Sequence, residues 1–365
     1  MGEKGESNAR IQGLDSMRFI CGLSIVIFHY GGLVPTAFLG NDHGLVGMIT
    51  RGTLTSLFNG PAALIIFFVI SGFGIHFASR KDLTVNVPSF WSRRLIRAGG
   101  PAVIAFCLWV WSGIKLSPEE PGPFWSLICE IEYYLLYPLL LILRRRFGWW
   151  PMIVVGQIFA YGLAFAHLAD IQKWYGGYAA FGPWNWVMGL PCFLVGCWLA
   201  ESFQRFPQPS TAVMWLVRGF VFALSVTIEV VRFHSGWIYF SNPFTLNIFA
   251  IVACFWLGLE VAYRRKHAAP RALEWAGNWT YSLYLVHPAV PGVLAMVTFL
   301  PSILSSIGGS LFVIAFAVVV AYPFHLAVEA PFYRLAIKVS RRLKAVRPAV
   351  KLAVQEREGV QATDS

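Results

Sequence analysis

Leu57-Phe58-Asn59-Gly60-Pro61-Ala62-Ala63-Leu64-Ile65-Ile66-Phe67-Phe68-Val69-Ile70-Ser71-Gly72-Phe73-Gly74-Ile75-His76-Phe77-Ala78 contains no lysine, arginine, aspartate or glutamate. A helix needs about 20 consecutive apolar residues to cross the hydrocarbon core of a bilayer, and this stretch supplies them. Nine further runs read the same way: Leu14 to Val34, Ala98 to Leu116, Phe124 to Leu143, Trp150 to Leu168, Phe181 to Ala200, Thr211 to Phe233, Pro243 to Tyr263, Ala276 to Leu300 and Gly308 to Ala330. The expectation is an all-α, polytopic membrane protein with about ten transmembrane helices. The expected domain order is a cytoplasmic segment over 1–13, a transmembrane domain over 14–333, and a basic, partly disordered cytoplasmic tail over 334–365.

Composition points the same way. Only 13% of the 365 residues are charged, against roughly a quarter in soluble domains, and 57% are hydrophobic. Mean hydropathy is +0.60. The net charge of +11 does not imply a nucleic-acid partner, because the basic residues are scattered in short segments between apolar runs. With the N-terminus inside, 23 lysines and arginines fall on the cytoplasmic side and four outside, so the expected topology is N-in and C-in. The six cysteines lie inside apolar runs with no Cys-x-x-Cys pair, which argues against a disulfide framework or a zinc site. No cleavable signal peptide is legible in Met1 to Gly13.

Ionisable residues inside a span are costly and ask for a reason. The first run holds Asp15, Arg18 and His29. Eleven positions separate Arg18 from His29, or about three full turns, so the two share a face with Asp15 close beside it. The fourth run holds Glu130 and Glu132. Depth along each helix puts Glu130 about 9 Å and His29 about 8 Å below one surface. A histidine and a carboxylate at one depth can act as a base and its orienting partner, so His29 and Glu130 are the catalytic candidates. Helix-packing hydrogen bonds are the plain structural alternative. His76, His167, His234, His267 and His325 fall near interfaces or in tails, where histidine needs no special role.

At these residues the chain resembles the acyltransferase-3 family of membrane acyltransferases. Gly13-Leu14-Asp15-Ser16-Met17-Arg18-Phe19 through His29 resembles its opening motif. Ile70-Ser71-Gly72-Phe73 resembles the end of its second span, and Arg93-Arg94-Leu95-Ile96-Arg97 with Pro101 its arginine motif. Trp125-Ser126-Leu127-Ile128-Cys129-Glu130 with Tyr133-Tyr134-Leu135-Leu136-Tyr137-Pro138 resembles its tryptophan-serine-leucine-glutamate helix. Tyr281-Ser282-Leu283-Tyr284-Leu285-Val286-His287 and Glu329-Ala330-Pro331 resemble the closing motifs. The family often carries two adjacent glutamates where this chain has Glu130-Ile131, so only Glu130 corresponds.

The resemblance implies transfer of an acyl group, acetyl by default, from cytoplasmic acyl-CoA to a hydroxyl of a carbohydrate or glycan, in a bacterial cytoplasmic membrane. Acyl-CoA would be a co-substrate, with no tightly bound cofactor and no metal. Arg93, Arg94 and Arg97 would grip the coenzyme A phosphates, and Arg18 would line the way in. His29 would be general base with Glu130, or form an acyl-histidine. Asp15, Ser71, Trp125, Ser126, Tyr281 and His287 are the secondary lining candidates. Two other classes compete: a transporter or flippase, which would move substrate without consuming a thioester, and a receptor or assembly subunit, which leaves the aligned Arg18, His29 and Glu130 unexplained. Oligomeric state is not legible.

Overall fold

Helix caps and prolines decide where the apolar runs begin. Asn59 accepts the Ala62 amide at 2.9 Å and is followed by Pro61, so α1 (Leu14–His29) is succeeded by α2 over Gly60–Phe77. Asn86 accepts the Ser89 amide at 3.1 Å ahead of α3, Val87–Trp111. Then come α4 (Phe124–Phe147), α5 (Trp149–Ala166), the short α6 (Leu168–Lys173), α7 (Asn185–Ser202), α8 (Thr211–His234) and α9 (Asn242–Arg264). The chain closes with α10 (Arg271–Gly277), α11 (Thr280–Val286), α12 (Val290–Val297), α13 (Ile307–Phe324) and α14 (Ala330–Val346). This computed structural model describes residues 11–31, 56–114, 124–297 and 307–346, and every regular element among them is helical.

Among the described residues, eight helical stretches are long and apolar enough to cross a bilayer. The first run forms only the 16-residue α1, about 24 Å long and short of a core of roughly 30 Å. The ninth run breaks into α10, α11 and α12, with a 3₁₀ turn over His287–Ala289. Pro288 and Pro291 lack the amides that would carry one helix through, which hydropathy does not register. Two boundaries also move. The third run starts at Val87, so Arg93, Arg94 and Arg97 stand on a helix rather than in a loop. The last run does not end near Ala330: a π-helical turn, His325–Glu329, joins α13 to α14, which packs along α3 with Ser340 and Ser89 hydroxyls 2.7 Å apart. Asp42 and His43, loop residues that the sequence leaves open as acceptor contacts, lie outside the described residues.

The centre is the crossing of α2 and α7. A Cβ on Gly72 would fall 2.0 Å from the Phe193 carbonyl oxygen, and one on Gly196 would fall 2.0 Å from that of Val69. Such close backbone approach through small residues is how helices associate in lipid, where apolar burial gives no drive. Around this pair stand α1, α4, α5 and α9, while α8 is largely on the rim.

One end of the bundle is arginine-rich, and two glutamates there gather Arg144, Arg218 and Arg264. Glu201 accepts two hydrogen bonds from Arg144 (3.0 and 2.7 Å), one from Trp149 (2.9 Å) and contacts His76 Nε2 at 2.7 Å. His76 is therefore a structural tie between α2, α4 and α7 rather than an incidental interface residue. Glu260 takes Arg218 and Arg264 in the same way, the closest contact being 2.7 Å. At the entry to α1, Glu274 of α10 acts as a cap from far along the chain, accepting the amides of Gly13 and Ser16 (3.1 and 3.0 Å) and the Ser16 hydroxyl (2.5 Å).

Gly196→Ala is expected to lower the stability of the detergent-solubilised protein by roughly 1–3 kcal/mol through overpacking. Gly219→Ala, in open space on α8, should leave it unchanged or raise it by a few tenths. Thermal unfolding of the two variants side by side checks the crossing; equal midpoints would refute it.

Candidate functional site

The polar stripe of α1 divides between two places. Asp15 and Arg18, paired at 2.6 Å, line an internal cavity of about 450 Å³, while His29 sits at the other end of the helix and is exposed. The arginine side of the cavity is formed by Arg93, Arg94 and Arg97 of α3 with Arg18. Arg94 is half-buried with its guanidinium 5.7 Å from the Tyr134 ring, and Arg97 lies 5.1 Å from that of Tyr333. Helical spacing explains the convergence: positions 93, 94 and 97 fall on adjoining faces of one turn of α3.

Deeper in, Glu130 accepts the Ser71 hydroxyl at 2.8 Å and the Tyr134 hydroxyl at 2.5 Å. Tyr281 donates to the Ala98 carbonyl at 2.7 Å, and Ser126 and Tyr284 join hydroxyls at 2.5 Å. Glu329, on the π-helical turn, also lines the cavity and accepts Ser282 at 2.6 Å and His325 Nδ1 at 2.9 Å. Irregular turns of this kind recur where a side chain must be aimed, and here the turn points a carboxylate inward.

His29 does not hydrogen-bond with Glu130. Its Nδ1 lies 2.9 Å from Nε2 of His287, which is 0% exposed. The depth estimate placed the two groups at one level but said nothing about direction around the helix axis, and that decides the partner. His287 Nδ1 is 2.7 Å from the Tyr284 carbonyl, and the Tyr30 hydroxyl donates to the His287 carbonyl. A carbonyl only accepts, so His287 carries its proton on Nδ1. In the neutral pair its Nε2 then accepts from His29 Nδ1–H, which leaves the His29 Nε2 lone pair unengaged.

Of the residues singled out in the sequence, Asp15, Arg18, Ser71, Arg93, Arg94, Arg97, Ser126, Glu130 and Tyr281 meet around the cavity. His29, Trp125 and His287 do not line it. Trp125 packs edge-on against Phe68 instead, and also on Tyr178. Tyr284 links the two regions, since its hydroxyl faces the cavity and its carbonyl holds His287. The sequence reading missed the part of His287 as the partner of His29, together with Tyr30, Ser282 and Glu329. The Tyr284/His287 spacing of three on one helical face was the available signal. Among the described residues, no three histidine, cysteine or acidic side chains gather where they could hold a metal ion.

Helices of membrane-spanning length, several of them lining a charged cavity, are those of an integral membrane protein. The chain belongs to the acyltransferase-3 family, whose acyltransferase-domain model matches residues 11–326. It is thus a membrane acyltransferase, and the match takes in every cavity and histidine-pair residue above except Glu329. No curated protein and no solved structure matches the chain.

Nitrogen NMR of histidine-labelled protein is expected to show His29 as the neutral tautomer with the proton on Nδ1. A neutral His29 protonated on Nε2 would overturn the assigned hydrogen-bond direction.

Proposed function

We propose that this acyltransferase moves an acyl group, acetyl by default, from acyl-CoA to a hydroxyl of a carbohydrate or glycan, with His29 as general base. The observation that carries this reading is the arrangement of a cavity with a cationic mouth on one side of Tyr284 and a histidine pair with a free imidazole nitrogen on the other. Arg93, Arg94, Arg97 and Arg18 suit the phosphates of coenzyme A, since guanidinium binds phosphate in a bidentate, always-charged fashion. A cavity of about 450 Å³ accommodates the pantetheine arm while the nucleotide stays at the arginine mouth. The arginine-rich end would face the cytoplasm of a bacterial cell, in keeping with the excess of basic residues there.

His29 Nε2 takes the proton of the acceptor hydroxyl as its oxygen attacks the thioester carbonyl carbon. The tetrahedral oxyanion collapses, the carbon–sulfur bond breaks, and the departing thiolate takes the proton back from the imidazolium. His287 does for His29 what Glu130 was expected to do: it holds the ring in the tautomer whose lone pair is free. Glu130, tied to Ser71 and Tyr134, instead fixes the cavity wall along the path of the thioester arm. Ser126 and Tyr284 line the cavity, and the acyl group would pass them on its way to His29.

Membranes incubated with labelled acetyl-CoA and a set of saccharides test this. His29→Ala should reduce label transfer by about 10²–10⁴-fold, the usual worth of a general base. Arg94→Ala should raise the KM for acetyl-CoA about tenfold or more with little change in kcat, since a lost charge-assisted hydrogen bond is worth roughly 1.5–3 kcal/mol. Equal transfer by wild type and His29→Ala, or saccharide movement without thioester consumption, would defeat the proposal.

A further inference from the structure

The His29 end of the bundle holds a second set of polar side chains that the transfer step does not use. It forms where the last turn of α8, the start of α9 and the turn over 174–177 meet. Gly176 adopts φ +71° there, and a Cβ on it would lie 2.9 Å from Ser241 Cβ and 3.5 Å from Arg232 Cγ. Its carbonyl accepts the Asn242 amide at 3.0 Å, and the Tyr175 carbonyl accepts Arg232 Nε at 3.0 Å. Arg232 in turn pairs with Glu229 at 3.0 Å. These bonds hold the backbone and the ion pair but leave other polar atoms over. Asn242 is 0% exposed, Glu229 1% and Ser241 3%. Both side-chain polar atoms of Asn242, the Ser241 hydroxyl and the second Glu229 carboxylate oxygen are buried with no hydrogen-bond partner among the described residues. Burying a polar atom unpaired is costly, so four on three neighbouring residues ask for something that satisfies them.

We infer that Glu229, Ser241 and Asn242 form a subsite for a neutral, hydroxyl-rich sugar unit of the acceptor, away from the hydroxyl that is acylated; this rests on the carbohydrate-acceptor reading above. The unfilled atoms comprise an amide donor, two acceptors and a hydroxyl that does both, which is the complement of vicinal sugar hydroxyls. Arg232 already balances Glu229, so the site favours a neutral ligand over an ion. Tyr175, Trp237 and Tyr239 are exposed around it and offer flat faces to the carbon-bound hydrogens of a pyranose. An interfacial aromatic belt would explain the rings, but it does not explain buried polar atoms without partners.

The subsite lies at the same end as the base. A Cβ on Gly60 would fall 2.6 Å from the Phe28 ring, so the residue next to His29 packs on the start of α2. The adjoining Asn59 donates to the Ser225 carbonyl of α8 at 2.9 Å, and Glu229 lies one turn, about 6 Å, further along. The ends of α2 and α8 thus lie between base and subsite.

The test uses the full chain in lipid nanodiscs, with tetra-N-acetylchitotetraose and maltotetraose as neutral probes and tryptophan fluorescence as readout. Wild type and His29→Ala are expected to show saturable binding of at least one probe, and Asn242→Leu to bind it at least tenfold more weakly. Without saccharide, Asn242→Leu should melt at the same temperature as wild type or higher, because it removes unsatisfied polar atoms and no internal bond. Ser241→Ala provides a milder second variant with the same expected direction. The inference is overturned if neither probe binds wild type, if Asn242→Leu binds within twofold of wild type, or if it melts markedly lower, which would mean that structural water fills the site. His29→Ala separates the two readings: undiminished transfer in that variant removes the proposed base and leaves the binding result standing.

Discussion

Two glycines, each pressed on a carbonyl of the opposite helix, set the distance between α2 and α7, and the functional residues inherit their positions from that contact. Ser71 precedes Gly72 and meets Glu130, while His76, one turn on, meets Glu201. At the opposite end of the same helix, Asn59 reaches Ser225. A helix fixed this closely at its middle carries a wall of the cavity, the tie at the arginine-rich end and the rim near His29 as one rigid piece. In lipid the contact rests on van der Waals packing rather than apolar burial, so small side chains at these two positions decide it.

On the proposed reading, binding and proton transfer take place in separate regions. Four arginines and the Glu130 cluster occupy a cavity between α1, α2, α3 and α4, whereas the imidazoles lie past Tyr284 where α1 meets the broken segment of α11. The break itself is functional in form: His287 ends one short helix just before Pro288, and its ring nitrogen is held by a carbonyl of the preceding turn. An uninterrupted helix there would engage that carbonyl in the backbone ladder.

Charges set in apolar runs were the most legible part of the chain. Asp15, Arg18 and Glu130 were marked in this way and all face one cavity, because a charge in a span has few places to go, and Arg93, Arg94 and Arg97, marked by the family resemblance, join them there. The partner of His29 was not legible. Hydropathy reads residues 276–300 as one continuous span, and depth measured along a helix that does not exist says nothing reliable about His287. Depth matching of His29 with Glu130 failed for a related reason, since axial level leaves rotation about the axis undetermined. The helix count suffered likewise: apolarity persists through Pro288 and Pro291, where the backbone does not. The π-helical turn that aims Glu329 inward follows Pro323, but no side-chain pattern announces it.

The cap that Glu274 places on α1 has a bearing on how the molecule is made. The amides of Gly13 and Ser16 are synthesised more than 250 positions ahead of the carboxylate that satisfies them. His29 waits equally long for His287. Helix α1 is therefore made before its leading amides have their partner, and a nascent chain halted before residue 274 has neither the cap nor the imidazole pair.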